Sequence, residues 1–146
     1  MLSFLMTTIK HKLWVLFFIT RFCLKLIWRG ITHDLSKFSI AELKGYSSNF
    51  HEFKHSVYGT KQYTQHITNI QKTINHHYKH NPHHPNHYKG QIELMSLLDI
   101  VEMYMVWKAA SKKYLNGNLR KSLQINTKRF KLDKQLSGIF KRSQKI

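Results

Sequence analysis

The two prolines of this 146-residue chain, Pro82 and Pro85, stand inside one histidine-rich stretch, Asn81-Pro82-His83-His84-Pro85-Asn86-His87-Tyr88. Each proline disfavours helix in the residue before it, so the stretch reads as a loop. Elsewhere the apolar residues recur at helical rather than alternating spacing, and no internal repeat is visible. That pattern predicts an all-α chain. A hydrophobic content of 42% is enough for a core, and the length suits one domain over 1–146, a compact helical bundle of about five to seven helices. Residues from about 116 to 146 read as a basic helical extension of that domain.

A long helix is predicted over residues 3–28, where His11, Val15, Phe18 and Phe22 recur at helical spacing. It reads as a core helix with His11 on the inward face. Lys10, Lys12, Arg21 and Lys25 interrupt its apolar run, which is too short to span a bilayer and lacks a small-residue cleavage site. No membrane span is expected; contact of a basic amphipathic helix with a membrane surface is the minor alternative. Gly30 permits a turn. Ser39-Ile40-Ala41-Glu42 has the spacing of a capping box, which makes Glu42 a cap rather than a catalyst. Ile67, Ile70 and Ile74 support a helix over 61–79 that carries His76, His77 and His80. The next helix, over 93–114, sets Asp99 beside a stripe that must be covered, where a carboxylate needs a partner or a metal. Two shorter helices follow, near 119–129 and 133–141.

Lys and Arg number 24 against 7 Asp and Glu, a formal charge of +17. Such a surface attracts phosphates of nucleotides, nucleic acid or anionic lipid, although a lysine-rich proteome would produce the same count. The lone Cys23 cannot form an internal disulfide, which suits a reducing, cytoplasmic compartment (the host cytoplasm for a viral chain), and its apolar neighbours suggest a buried thiol.

Chemistry concentrates at His33-Asp34-Leu35-Ser36-Lys37-Phe38-Ser39. An adjacent imidazole and carboxylate can ligate one divalent ion, and Lys37 can meet a phosphate. Further ligands are available in His11 and Asp99. His76, His77, His80, His83, His84 and Glu102 are candidates for a second ion or a substrate pocket. Without cysteine the ligand types admit Mn, Fe, Mg, Ni or Zn. The competing reading has the same histidines hydrogen-bonding among themselves and to Asp34 or Asp99, locking the bundle. Lys121, Lys128, Arg129, Lys131, Lys134, Lys141, Arg142 and Lys145 raise a different function class, a non-catalytic nucleic-acid-binding or interaction protein. No known nucleic-acid-binding motif accompanies them.

The motifs His33-Asp34-Leu35-Ser36-Lys37-Phe38-Ser39, His76-His77 with Asn81-Pro82-His83-His84, and Leu97-Leu98-Asp99-Ile100-Val101-Glu102-Met103 resemble an uncharacterised helical family of bacterial and viral proteins, catalogued as a domain of unknown function. The resemblance runs from about residue 11 to 139. The order of a first His, a His-Asp pair and a late Asp is also similar to the HD superfamily of metal-dependent phosphohydrolases. That second resemblance implies an HD-like helical bundle in which His11, His33, Asp34 and Asp99 hold a metal, Asp34 and Lys37 are catalytic, and the substrate is a nucleotide or other phosphoester. Two positions depart from the first family's pattern: Val106 replaces an aspartate before Trp107, and Pro85 an aromatic after the paired histidines. The first departure keeps open a degenerate scaffold that binds metal without turnover.

Overall fold

The computed structural model describes residues 1–51, 61–113 and 117–145. Among the described residues there are seven α-helices and no strand, as the periodicity predicts: α1 (Leu2–Thr32), α2 (Ile40–Ser48), α3 (Lys61–Asn69), α4 (Gln71–His80), α5 (Leu97–Lys113), α6 (Leu119–Arg129) and α7 (Lys134–Arg142). The chain divides into two compact units, Met1–His33 and Asp34–Ile146.

The first unit is α1. It runs through Gly30, where nothing lies within 4 Å of the place a Cβ would take; one glycine in a long helix costs only about 1 kcal/mol relative to alanine. None of its residues is buried, so the expectation of a core helix with His11 turned inward is corrected. Cys23 is likewise exposed rather than a buried thiol. By length and composition, α1 is long and apolar enough to cross a membrane, a test that core helices and signal sequences also pass. The interrupting cations that argued against a span leave residues 2–9 and 13–20 without a charged Lys, Arg, Asp or Glu.

The second unit holds an apolar core and a polar one. In the apolar core Met103 and Tyr104 of α5 meet Leu123 of α6 and Phe140 of α7, with Ile92 and Met95 from the segment before α5. The Tyr104 and Phe140 rings stack at 4.9 Å, and Trp107 lies against Phe130 and Phe140. Each such buried side chain stabilises the fold by about 1.5–3 kcal/mol. The helices expected to form a tail extension thus contribute directly to this core. Their starts are capped: Asn118 accepts from the Lys121 N–H and Asp133 from the Leu136 N–H.

The polar core forms where α2 meets α4. These helices approach closely at Gly45, where an added Cβ would collide with the Thr73 side chain. The predicted helix over 61–79 is two helices, since Ile70 leaves helical geometry between α3 and α4 (φ −108°, ψ 23°). Glu42, Thr73, His77, Asn81, His83 and Asp99 are all buried. The proline stretch is irregular, as expected, with a 3-10 turn at Pro85–Tyr88. The predicted end of α5 at residue 114 lies outside the described residues.

Candidate metal centre

Asp34 opens the second unit in the left-handed backbone region (φ 55°, ψ 24°), which aspartate tolerates better than most residues. The chain then turns through Leu35–Phe38 into Ser39, the N-cap of α2. Lys37 Nζ lies 2.7 Å from Asp34 Oδ2. The other oxygen, Oδ1, is 3.4 Å from Nε2 of His77 and 3.4 Å from Nε2 of His83.

Each of those histidines is backed by a carboxylate. His77 Nδ1 donates to Glu42 Oε2 at 2.8 Å, and His83 Nδ1 lies 3.1 Å from Glu102 Oε1. An ionised carboxylate only accepts, so these contacts put the proton of each neutral imidazole on Nδ1 and leave the lone pair on Nε2. His84 completes the group, its Nε2 2.9 Å from His77 Nε2. One ligand atom from each of Asp34, His77, His83 and His84 lies within 4.8 Å of the other three. Cation–ligand bonds near 2.0–2.2 Å set adjacent ligand atoms about 3 Å apart and opposite ones about 4.2 Å apart. The four residues therefore fit a divalent ion with little adjustment.

Protonation favours the same reading. Burial pushes His77 below the usual imidazole range despite the opposing pull of Asp34 and Glu42. Burial, reinforced by His83 and His77, pushes His84 down to about 2. Both rings are neutral at pH 7, the form that ligates a metal. Burial raises the Glu42 carboxyl, but hydrogen bonds from His76, Ser36 and His77 outweigh it and hold it below its ordinary value. Asn81 packs against this array, donating to the His77 carbonyl at 2.7 Å and to Ser36 Oγ at 2.6 Å.

Glu42 is the residue whose role sequence reasoning missed. Its N–H does meet Ser39 Oγ, as the capping box requires, at 3.4 Å. Its side chain does not return to close the box. Oε1 accepts from His76 Nδ1 at 2.9 Å and Oε2 from His77, so one fully buried carboxylate orients two consecutive imidazoles. The signal was available in the scarcity of acids, since a cap at a buried position leaves a charge to be satisfied.

Asp34, His77, His83 and His84 come together, with Glu102 behind His83. His80 instead donates Nδ1 to the His76 carbonyl at 2.8 Å, and His76 is turned to Glu42. His11 lies in the second quarter of α1 and His33 directly after its last residue, Thr32, and at 1.5 Å per residue the intervening helix separates them by about 30 Å. They cannot ligate one ion, contrary to the set implied by the HD resemblance. His33 follows the last turn of α1 and ends the first unit. Asp99 is accounted for by a second capping box, Ser96-Leu97-Leu98-Asp99: Ser96 Oγ accepts the Asp99 N–H, while Asp99 Oδ2 accepts from Ser96 N–H, Ser96 Oγ and Tyr88 Oη. The late carboxylate at this centre is Glu102, one turn further along α5.

Residues 2–145 match the model of a family of unknown function, DUF5662, and the chain belongs to that family. No curated protein and no solved structure matches it.

Proposed function

We propose, for a member of a family without an assigned activity, that Asp34, His77, His83 and His84 hold a divalent transition-metal ion and that the chain is a metal-dependent phosphohydrolase acting on a nucleotide or other small phosphoester. The observation that carries the metal is the facing of acceptors: two imidazole Nε2 lone pairs, fixed by Glu42 and Glu102, and the Asp34 Oδ1 meet in one buried place. Lone pairs so arranged repel one another unless a cation lies between them. Three imidazoles and one carboxylate suit Zn, Fe or Ni better than Mg. Such an ion would lower the pKa of a bound water to roughly 7 and polarise a phosphoryl oxygen. Lys37 is the substrate-side group: half exposed and paired with Asp34 Oδ2, its ammonium can turn to a phosphate while Oδ1 stays with the ion. Asp34 and Lys37 are the proposed catalytic residues, and the +17 charge favours an anionic substrate.

A second reading rests on the ligand count. Four protein ligands can close a tetrahedral shell, which is the habit of structural sites, and a closed site would leave a non-catalytic basic protein that binds nucleic acid or another partner.

Elemental analysis of tag-free protein, followed by cobalt substitution, separates these readings. Stoichiometric metal lost in Asp34→Ala, weak five- or six-coordinate cobalt absorption, and chelator-sensitive turnover of phosphoesters support the hydrolase. Intense tetrahedral absorption without turnover supports the structural site. Absence of stoichiometric metal in the wild type, with none taken up on titration, overturns both.

A further inference from the structure

We propose that α1 lies on the surface of an anionic lipid bilayer, its apolar face in the acyl boundary and its cations at the headgroups. The helix repeats leucine and isoleucine at three- and four-residue spacing on one face, and Leu13, Leu16, Leu24, Ile27 and Ile31 are 59–67% exposed. A 31-residue helix is about 46 Å long, and a face about 10 Å wide over that length covers about 460 Å², the size of patch that commonly marks an interaction site. Lys10, Arg21, Lys25 and Arg29 form a stripe beside this face, with Lys10 at its near edge and the rings of Trp14 and Phe18 among the cations. Lys12 borders the apolar face, where its long stem can carry the ammonium outward. Trp14, Phe17 and Phe18 pack on one another at 5.5–5.8 Å along the helix, the ring types that favour a bilayer interface.

Charge selects the occupant. The first unit has no Asp or Glu; the first acid in the chain is Asp34. A second copy of α1 packed on this face would set Lys10 and Lys12, which flank it, at a seam between two cationic helices, whereas anionic headgroups neutralise them. Charge also selects the orientation, because any stretch of about 20 residues of α1 long enough to span would carry at least two of Lys10, Lys12, Arg21 and Lys25 into the hydrocarbon, where cations are costly. A helix lying in the interface keeps the whole stripe in water.

The test is sedimentation of the full chain with phosphatidylcholine vesicles, with and without phosphatidylglycerol. Binding to the anionic vesicles is expected to tighten about fivefold for each cation that reaches the surface, to weaken with salt, and to fall in Arg21→Gln/Lys25→Gln/Arg29→Gln. In a Trp107→Phe background, Trp14 and Trp28 emission should shift to the blue on anionic vesicles and be quenched by lipids brominated near the headgroup end of the chain. Leu13→Glu/Leu16→Glu should abolish binding while keeping the wild-type far-ultraviolet dichroism; if that variant loses its helical signal, the triple glutamine variant decides. Equal affinity for neutral and anionic vesicles, quenching centred at the midplane, or self-association without vesicle binding would each overturn the proposal.

Discussion

Replacing Glu42 by glutamine keeps the volume of a fully buried side chain and removes its charge. The carboxylate accepts two charge-assisted hydrogen bonds, at 2.9 Å from His76 and 2.8 Å from His77, each worth about 1.5–3 kcal/mol. Glutamine offers one acceptor and one donor to two imidazole N–H groups. One ring must therefore lose its bond or move its proton to Nε2. If that ring is His77, an N–H replaces the lone pair that faces Asp34 and His84, and ion binding must first displace it. Removing the buried charge recovers part of its desolvation cost, so the net loss of folding stability should be about 2 kcal/mol. Affinity for Zn should fall about 10–100-fold, the usual effect of losing a carboxylate behind a ligating histidine. Competition against a chromophoric chelator measures the affinity, and urea unfolding the stability. His80→Gln is the control, because His80 is exposed and bonds only a backbone carbonyl among its described hydrogen bonds. Wild-type affinity in Glu42→Gln, with affinity lost in Asp34→Ala, would show that Glu42 does not set the His77 proton.

Gly45→Ala should destabilise by about 1–3 kcal/mol in urea despite the helix-propensity gain, because the new Cβ would meet the Thr73 side chain, with Thr73 Cβ at 2.9 Å; a more stable variant would contradict the close approach of α2 and α4. Stability of the metal-free protein should fall as pH drops from about 6.5, since the unfolded chain protonates its histidines near that value while folded His77 and His84 stay neutral. His84, held at about 2, contributes a slope of about 1.4 kcal/mol per pH unit once its unfolded form is fully charged, and His77 adds in the same direction, so His84→Gln should flatten the dependence; Glu42, held low, adds a further loss below about pH 4.5. Asp99→Asn should cost about 1 kcal/mol through the capping box and leave ion affinity unchanged; a large drop in affinity on titration would return Asp99 to the metal centre.

The helices were legible because their signals are short-range. Spacing of apolar residues, Ser39 and Asp133 before their helices, and two prolines in one loop act within a few residues. The His33-Asp34 motif likewise pointed to Asp34, one of the grouped side chains, and His77, His83, His84 and Glu102 stood among the candidates. Their grouping was not legible. Which nitrogen of His77 faces Asp34 depends on Glu42, 35 residues earlier, and the pairing of His83 with Glu102 depends on how α5 meets the proline loop. Asp99 and Glu102 differ by one helical turn, a difference that periodicity cannot resolve into cap and carboxylate partner. Composition and local pattern by themselves determined an all-α chain, rich in cations, with histidines set against few acids. Only the tertiary structure decided which acid each histidine meets and that the apolar faces of α1 contribute no buried residue, because long-range packing, not sequence spacing, controls which polar atoms are desolvated together.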